Sequence, residues 1–251
     1  MSQFILTLKS VSAKEPRRAV AYGLLTLLST CSVALAHPNG VFTLIVFLAP
    51  YLTYWLFQEL KAHNVKLPIR VCAIVALWIL IIVFWVICYH LPIFTGVVQT
   101  TWPSISSETQ SLVDALLLSV IDHPAQIAIF ILLVAGVFYL FANQKSLWIF
   151  AVYVACAVMY ILDAGTDSFL KNWITGFWYT DYHRTGALLG LAAMVIAAIG
   201  AGALARLLHH VTFQATLDGV HRIRSSRATT FALYLFMGFF IYIGSFTLKG
   251  F

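Results

Sequence analysis

Charge is scarce in this chain. Only 10% of its 251 residues are Asp, Glu, Lys or Arg, 61% are hydrophobic, and the mean hydropathy is +0.92. Soluble domains carry roughly 25% charged residues. A water-soluble fold of this composition could not cover its surface, so lipid is the remaining solvent. Nucleotide loops are also missing: there is no GxxxxGK[ST] and no GxGxxG, so ATP- or NAD-driven chemistry is not encoded. No CxxC pair exists, and Cys31, Cys72, Cys88 and Cys156 all lie in apolar runs as small hydrophobes. His37, His90, His123 and His183 show no HExxH or i, i+4 spacing, which leaves no metal-site pattern. Ionisable residues are nearly absent from the middle of the apolar runs, which argues against a proton-coupled pump or channel. The ten-residue alternation of an outer-membrane strand does not occur either.

What is present is a series of apolar runs, each near the roughly 20 residues that one crossing needs. Seven spans are expected, at 19–36, 41–60, 69–91, 125–142, 146–163, 187–208 and 229–248. Each must satisfy its own backbone in hydrocarbon, so each is expected to be helical. The segments between them alternate in charge. The N-terminal segment, 61–70, 143–145 and 206–227 hold twelve of the fifteen Lys and Arg residues. The segments at 37–40, 92–124 and 164–186, with the C-terminus, hold only Lys171, Arg184 and Lys249. By the positive-inside rule the N-terminus is inside and the C-terminus outside. The fold class is an all-α, polytopic integral membrane helical bundle. It forms one transmembrane domain over 1–251, in the plasma or inner membrane. The +6 formal charge then belongs to orientation and anionic lipid, not to nucleic acid. Ala34-Leu35-Ala36 also fits a signal-peptide cleavage site, which would expose His37 as a new terminus. The length of the run before it favours a span.

Two outer segments carry information. In 92–124, Ser107-Glu108-Thr109-Gln110 is a capping box. A helix is expected from there to about Ile121, with Leu112, Leu116 and Val120 on one side. It reads either as an interfacial helix or as a buried helix of the loop. In 164–186, Trp173, Phe177, Trp178, Tyr179 and Tyr182 crowd among Asp167, Asp181, His183 and Arg184. An aromatic belt accounts for the rings. Asp181 and Arg184, three residues apart, share a helix face. They read either as a local salt bridge or as a phosphate grip by Arg184 oriented by Asp181. His37-Pro38-Asn39-Gly40 has the composition of a turn.

The stretch ITGFWYTDYHRTGALLGLAAM carries aromatic-Tyr-x-Asp-x-x-Arg before an Ala- and Leu-rich span. It resembles a family of large actinobacterial membrane proteins of unassigned function, which are similar to GT-C class lipid-phosphosugar glycosyltransferases. Leu162-Asp163-Ala164 and Ala36-His37-Pro38 match further pieces of that pattern, and the likeness runs from roughly Arg17 to the end. It implies transfer of a sugar from a polyprenyl phosphate for cell-envelope glycans on the outer face, with no cofactor. The implied site has Asp181 as base, with Arg184, Tyr179, Trp178, His183, His37 and Asp163 around the substrate. Proteins of that class are usually much longer and place a catalytic acid in the first outer loop. Here 37–40 holds no acid, so the chain is expected to correspond to the C-terminal portion of such a protein. Two other readings stay open. One is a non-catalytic membrane protein, such as a transporter component or assembly factor working with a membrane protein partner. The other is a metal protein resting on the outer histidines.

Overall fold

The computed structural model describes residues 2–12, 15–120 and 123–217, and no strand occurs among them. The helices are α1 (Ser2–Ser12), α2 (Pro16–Ala36), α3 (Pro38–Ala62), α4 (Leu67–His90), α5 (Thr95–Val98), α6 (Glu108–Leu117), α7 (Ile127–Ala142), α8 (Leu147–Gly165), α9 (Phe169–Thr175) and α10 (Tyr182–Leu217). Proline sets several starts: α2, α3 and α4 each carry one in the first two positions, where the missing N–H has no intrahelical partner to lose. Asn64 ends α3 in the left-handed region, with φ 56°, as an Asn past a helix end often does.

Among the described residues, four helices are long and apolar enough to cross a membrane: Asn39–Ala62, Leu67–His90, Leu147–Gly165 and Tyr182–Leu208. Large apolar side chains stand exposed along them, Leu80 of α4 at 68%. This is the build of a membrane protein. Hydroxyls within the helices turn back on their own carbonyls, as Thr26 does on Tyr22, Thr30 on Thr26 and Thr53 on Ala49, so these donors are not left to hydrocarbon. The seven expected spans meet this set unevenly. The 19–36 run is helical as α2 but is not among the four. The 125–142 run forms only the 16 residues of α7, about 24 Å of helix against a hydrocarbon core of about 30 Å. The 229–248 run lies outside the described residues.

The described chain divides into two compact units. The first takes Met1–Thr101 and Asn172–Thr180, the second Trp102–Lys171 and the chain from Asp181 onward. Rings build the first unit. Phe42 of α3 stacks on Phe177 at 3.5 Å, while Trp85 and Phe94 meet both rings edge-on. Trp173 stacks on Tyr89 at 4.4 Å, and its carbonyl accepts from the Trp85 indole. The sequence treats 92–98 as loop. It folds into a 3-10 turn and α5, and it buries Val98 beside Gly176.

Close backbone approach builds the second unit. A Cβ on Gly136 of α7 would strike the Ile196 carbonyl of α10, and one on Gly200 the Leu132 carbonyl. Small residues let helices meet this closely. Leu133 and Leu140 of α7 and Ala193 and Ile196 of α10 are buried. On α8, Gly165 leaves room for Ser111 of α6. Helix α6 begins as expected, with the Ser107 hydroxyl accepting from the Gln110 N–H. The Gln110 amide, however, turns forward to Asp114 at 2.8 Å instead of back to the cap, so half of the capping box forms. The helix ends at Leu118, in the left-handed region, several residues before Ile121. Its Ser111 and Ala115 face is buried, and Leu112 and Leu116 are exposed.

Candidate functional site

Polar chemistry in the second unit gathers where α8 ends and α10 begins. Residues 102–106 are bound to this end of α8 by their backbone. The N–H groups of Ile105 and Ser106 both donate to the Ala164 carbonyl, at 2.9 and 3.0 Å. The Ser104 N–H and hydroxyl donate to the two oxygens of Asp167, at 2.9 and 2.7 Å. This two-point grip, led by the Ser104 hydroxyl, holds the Asp167 carboxyl below its ordinary range. Lys171 closes the arrangement from beneath. Only 1% exposed, its Nζ donates to the Trp102 carbonyl at 2.8 Å, the Asp163 carbonyl at 2.9 Å and Asp167 Oδ1 at 3.2 Å. The Asp163 side chain is fully buried, and its Oδ2 accepts from the Thr185 hydroxyl of α10 at 2.9 Å. A buried polar side chain is costly unless hydrogen-bonded in this way.

Asp181 stands just before α10 and serves as its N-cap. Its Oδ1 lies 2.9 Å from both the backbone N and the ring Nδ1 of His183. Its Oδ2 lies 3.4 Å from the Arg184 Nε. The i, i+3 pairing read from the sequence is therefore present as an ion pair, with His183 added on the same carboxylate. The Asp181 side chain is 13% exposed, whereas those of His183 and Arg184 are 44% and 45% exposed. The Trp102 ring stands perpendicular to both Tyr182 and His183, at 6.3 and 5.8 Å, and Tyr182 stacks on His183 at 4.1 Å.

Four expected site residues thus share the second unit: Asp163, Asp181, His183 and Arg184. The other three fall in the first unit. Trp178 is buried in the ring cluster and donates its indole N–H to Thr43 at 3.0 Å. Tyr179 and Thr180 follow it, both left-handed, at φ 64° and 51°. His37 is an exposed one-residue link, ending α2 and capping α3. The belt account of the aromatics does not fit Phe177 and Trp178, which are core side chains. Lys171, Asp167, Ser104, Trp102 and Thr185 belong to the cluster although the sequence does not single them out as site residues. The signal available was Asp163, Asp167 and Lys171 at spacings of four, in a chain otherwise poor in charge. Among the described residues, no group of three or more His, Cys, Asp or Glu is placed to hold a metal ion.

The profile of a family of unknown function (DUF6541) matches residues 2–250. No curated protein and no solved structure matches the chain.

Proposed function

We propose that this chain, which belongs to the DUF6541 family, is a multi-pass protein of the plasma or inner membrane. Its site would lie at the outer face and take a polyprenyl-phosphate sugar for cell-envelope glycans. The charge alternation supports the orientation, N-terminus inside and C-terminus outside. The observation that carries the reading is a single one. Asp181 holds a half-exposed arginine and a half-exposed histidine at the mouth of a helix long and apolar enough to cross a membrane.

Arg184 is the phosphate ligand, since its planar fork suits two-point contact with phosphate oxygens. This reading takes His183 as the base in place of Asp181. Both Asp181 oxygens are engaged, and a carboxylate at Nδ1 leaves Nε2 to accept a proton. In the reaction the acceptor hydroxyl attacks the anomeric carbon and passes its proton to His183 Nε2. The bond from that carbon to the phosphate oxygen breaks, and the departing polyprenyl phosphate keeps the electron pair beside Arg184. A second reading, a non-catalytic membrane protein, is favoured by the same engagement of Asp181. As an N-cap with an ion pair, the residue already has a structural role.

Binding of a polyprenyl phosphate to the purified chain tests the site. Arg184→Lys is expected to weaken it tenfold or more, since a lost charged hydrogen bond costs about 1.5–3 kcal/mol. Unchanged binding leaves the non-catalytic reading. For orientation, cysteines placed at Ser106 or Asn172 are expected to label from outside intact cells and one at Asn143 is not. The reverse pattern overturns the orientation.

A further inference from the structure

Trp102 is a large aromatic residue that is 43% exposed, yet the chain around it is fixed more firmly than exposure suggests. Its own carbonyl is held by the buried Lys171 ammonium. Two residues on, Ser104 is held at both its N–H and its hydroxyl by Asp167, and Ile105 and Ser106 are held by the Ala164 carbonyl. Pro103 between them has a fixed φ. These anchors all fall on residues 102–106, and the aromatic side chain presented from them is an indole beside His183 and Tyr182, with Ile105 the other exposed large side chain. An exposed ring whose backbone is this constrained loses little further entropy on contact, which favours binding.

We infer that Trp102 is a ring platform, and that the site takes a glycosyl phosphate, the phosphate at Arg184 and the sugar ring against the indole. Lys171 and Asp167 are positioning residues that act through the backbone of 102–106. The inference rests on the phosphate reading of Arg184 given above and adds the residue that meets the sugar carried by that phosphate. Binding sites of this kind pair an aromatic wall with a few placed polar groups. Here the wall and the cation come from segments about eighty residues apart, brought together by the Lys171 and Asp167 bonds within one unit.

The test is the binding of glucose 1-phosphate and of inorganic phosphate to the purified full chain in detergent, with thermal unfolding followed in parallel. The wild type is expected to prefer the glycosyl phosphate by about tenfold. Trp102→Ala is expected to abolish that preference, leave inorganic phosphate binding intact and shift Tm little, while Trp102→Phe retains part of the preference. Asp167→Asn, which weakens the Ser104 grip and leaves the Trp102 and Asp163 carbonyls to hold Lys171, is expected to lower the preference two- to threefold with only a small fall in Tm. Inorganic phosphate binding that depends on Arg184, with a Trp102→Ala preference equal to the wild type, overturns the platform alone. Failure of both probes to bind the wild type overturns the platform together with the phosphate reading.

Discussion

The two units hold their helices together by different means. In the first, side chains do the packing: Phe42, Trp85, Phe94 and Phe177 meet in stacked and edge-on pairs, and the two indole N–H groups near them find oxygen partners. In the second, side chains are withdrawn. Gly136 and Gly200 let α7 and α10 approach until any added carbon would strike a carbonyl, and Lys171, Asp163 and Thr185 tie the helix ends with hydrogen bonds. Ring packing tolerates small readjustment, because each contact is one among many. Backbone contact does not, because nothing can rotate away. The half-exposed Arg184 and His183 stand in the second unit, on the helix whose approach to α7 is this close. A site needs that support if its groups are to keep their geometry.

Substitutions that attack one kind of packing and not the other test this contrast. The largest effect is expected from Phe177→Ala, which opens the centre of the ring cluster and should cost about 3–5 kcal/mol in unfolding of the purified chain. A loss below 1 kcal/mol would mean that the stacked pair is not the core of its unit. Gly200→Ala should cost about 1–3 kcal/mol through overpacking against the Leu132 carbonyl. Gly190, on the same helix with nothing within 4 Å of an added Cβ, is its control. Gly190→Ala should be neutral, or stabilising by up to about 1 kcal/mol through helix propensity. Equal behaviour of the two glycines would break the close-approach account. Ser107→Ala removes the cap of α6 and should cost about 1 kcal/mol, read by amide exchange of Gln110.

The smallest effect concerns Asp167, whose side chain is 61% exposed. Its carboxyl is held below the ordinary value, so its contribution is fully present above pH 3.8 and is lost as pH falls through the lower folded value. Protection of the Ser104 amide should therefore persist as the pH is lowered to 3.8 and disappear below it. In Asp167→Asn the protection should be weak at every pH. Loss of protection above pH 4 in the wild type would show that the Ser104 grip does not set the carboxyl's proton affinity.

The long apolar helices and the start of α6 were legible because hydropathy runs and the Ser107 cap are local signals, whereas α1, α5 and α9 carry no such run. The Asp181–Arg184 pairing was legible for the same reason, as a matter of helix spacing. Lys171 was not. Its charge counts the same in a loop census whether it faces water or is buried, and its burial depends on the Trp102 carbonyl, 69 residues away. Trp178 reads as an interfacial ring until Thr43, 135 residues earlier, is seen to accept its N–H. The shortness of α7 was hidden as well. Ala125 and Gln126 extend the apolar run, but Gln126 donates back to the Leu117 carbonyl and stands outside the helix.

Tyr179 and Thr180 have a consequence for how the gene can vary. Surface connections ordinarily absorb insertions and deletions. Here two consecutive left-handed residues follow directly on a buried indole, and their N–H groups donate back to the Gly176 and Thr175 carbonyls. A side chain in that region is strained, and the strain is kept only because the surroundings fix it. Adding or removing one residue between Thr175 and Thr180 would take away these return bonds around Trp178. Length at this point is therefore as constrained as residue identity is elsewhere. Gaps in related chains should be frequent around 64–66 and absent from 175–180.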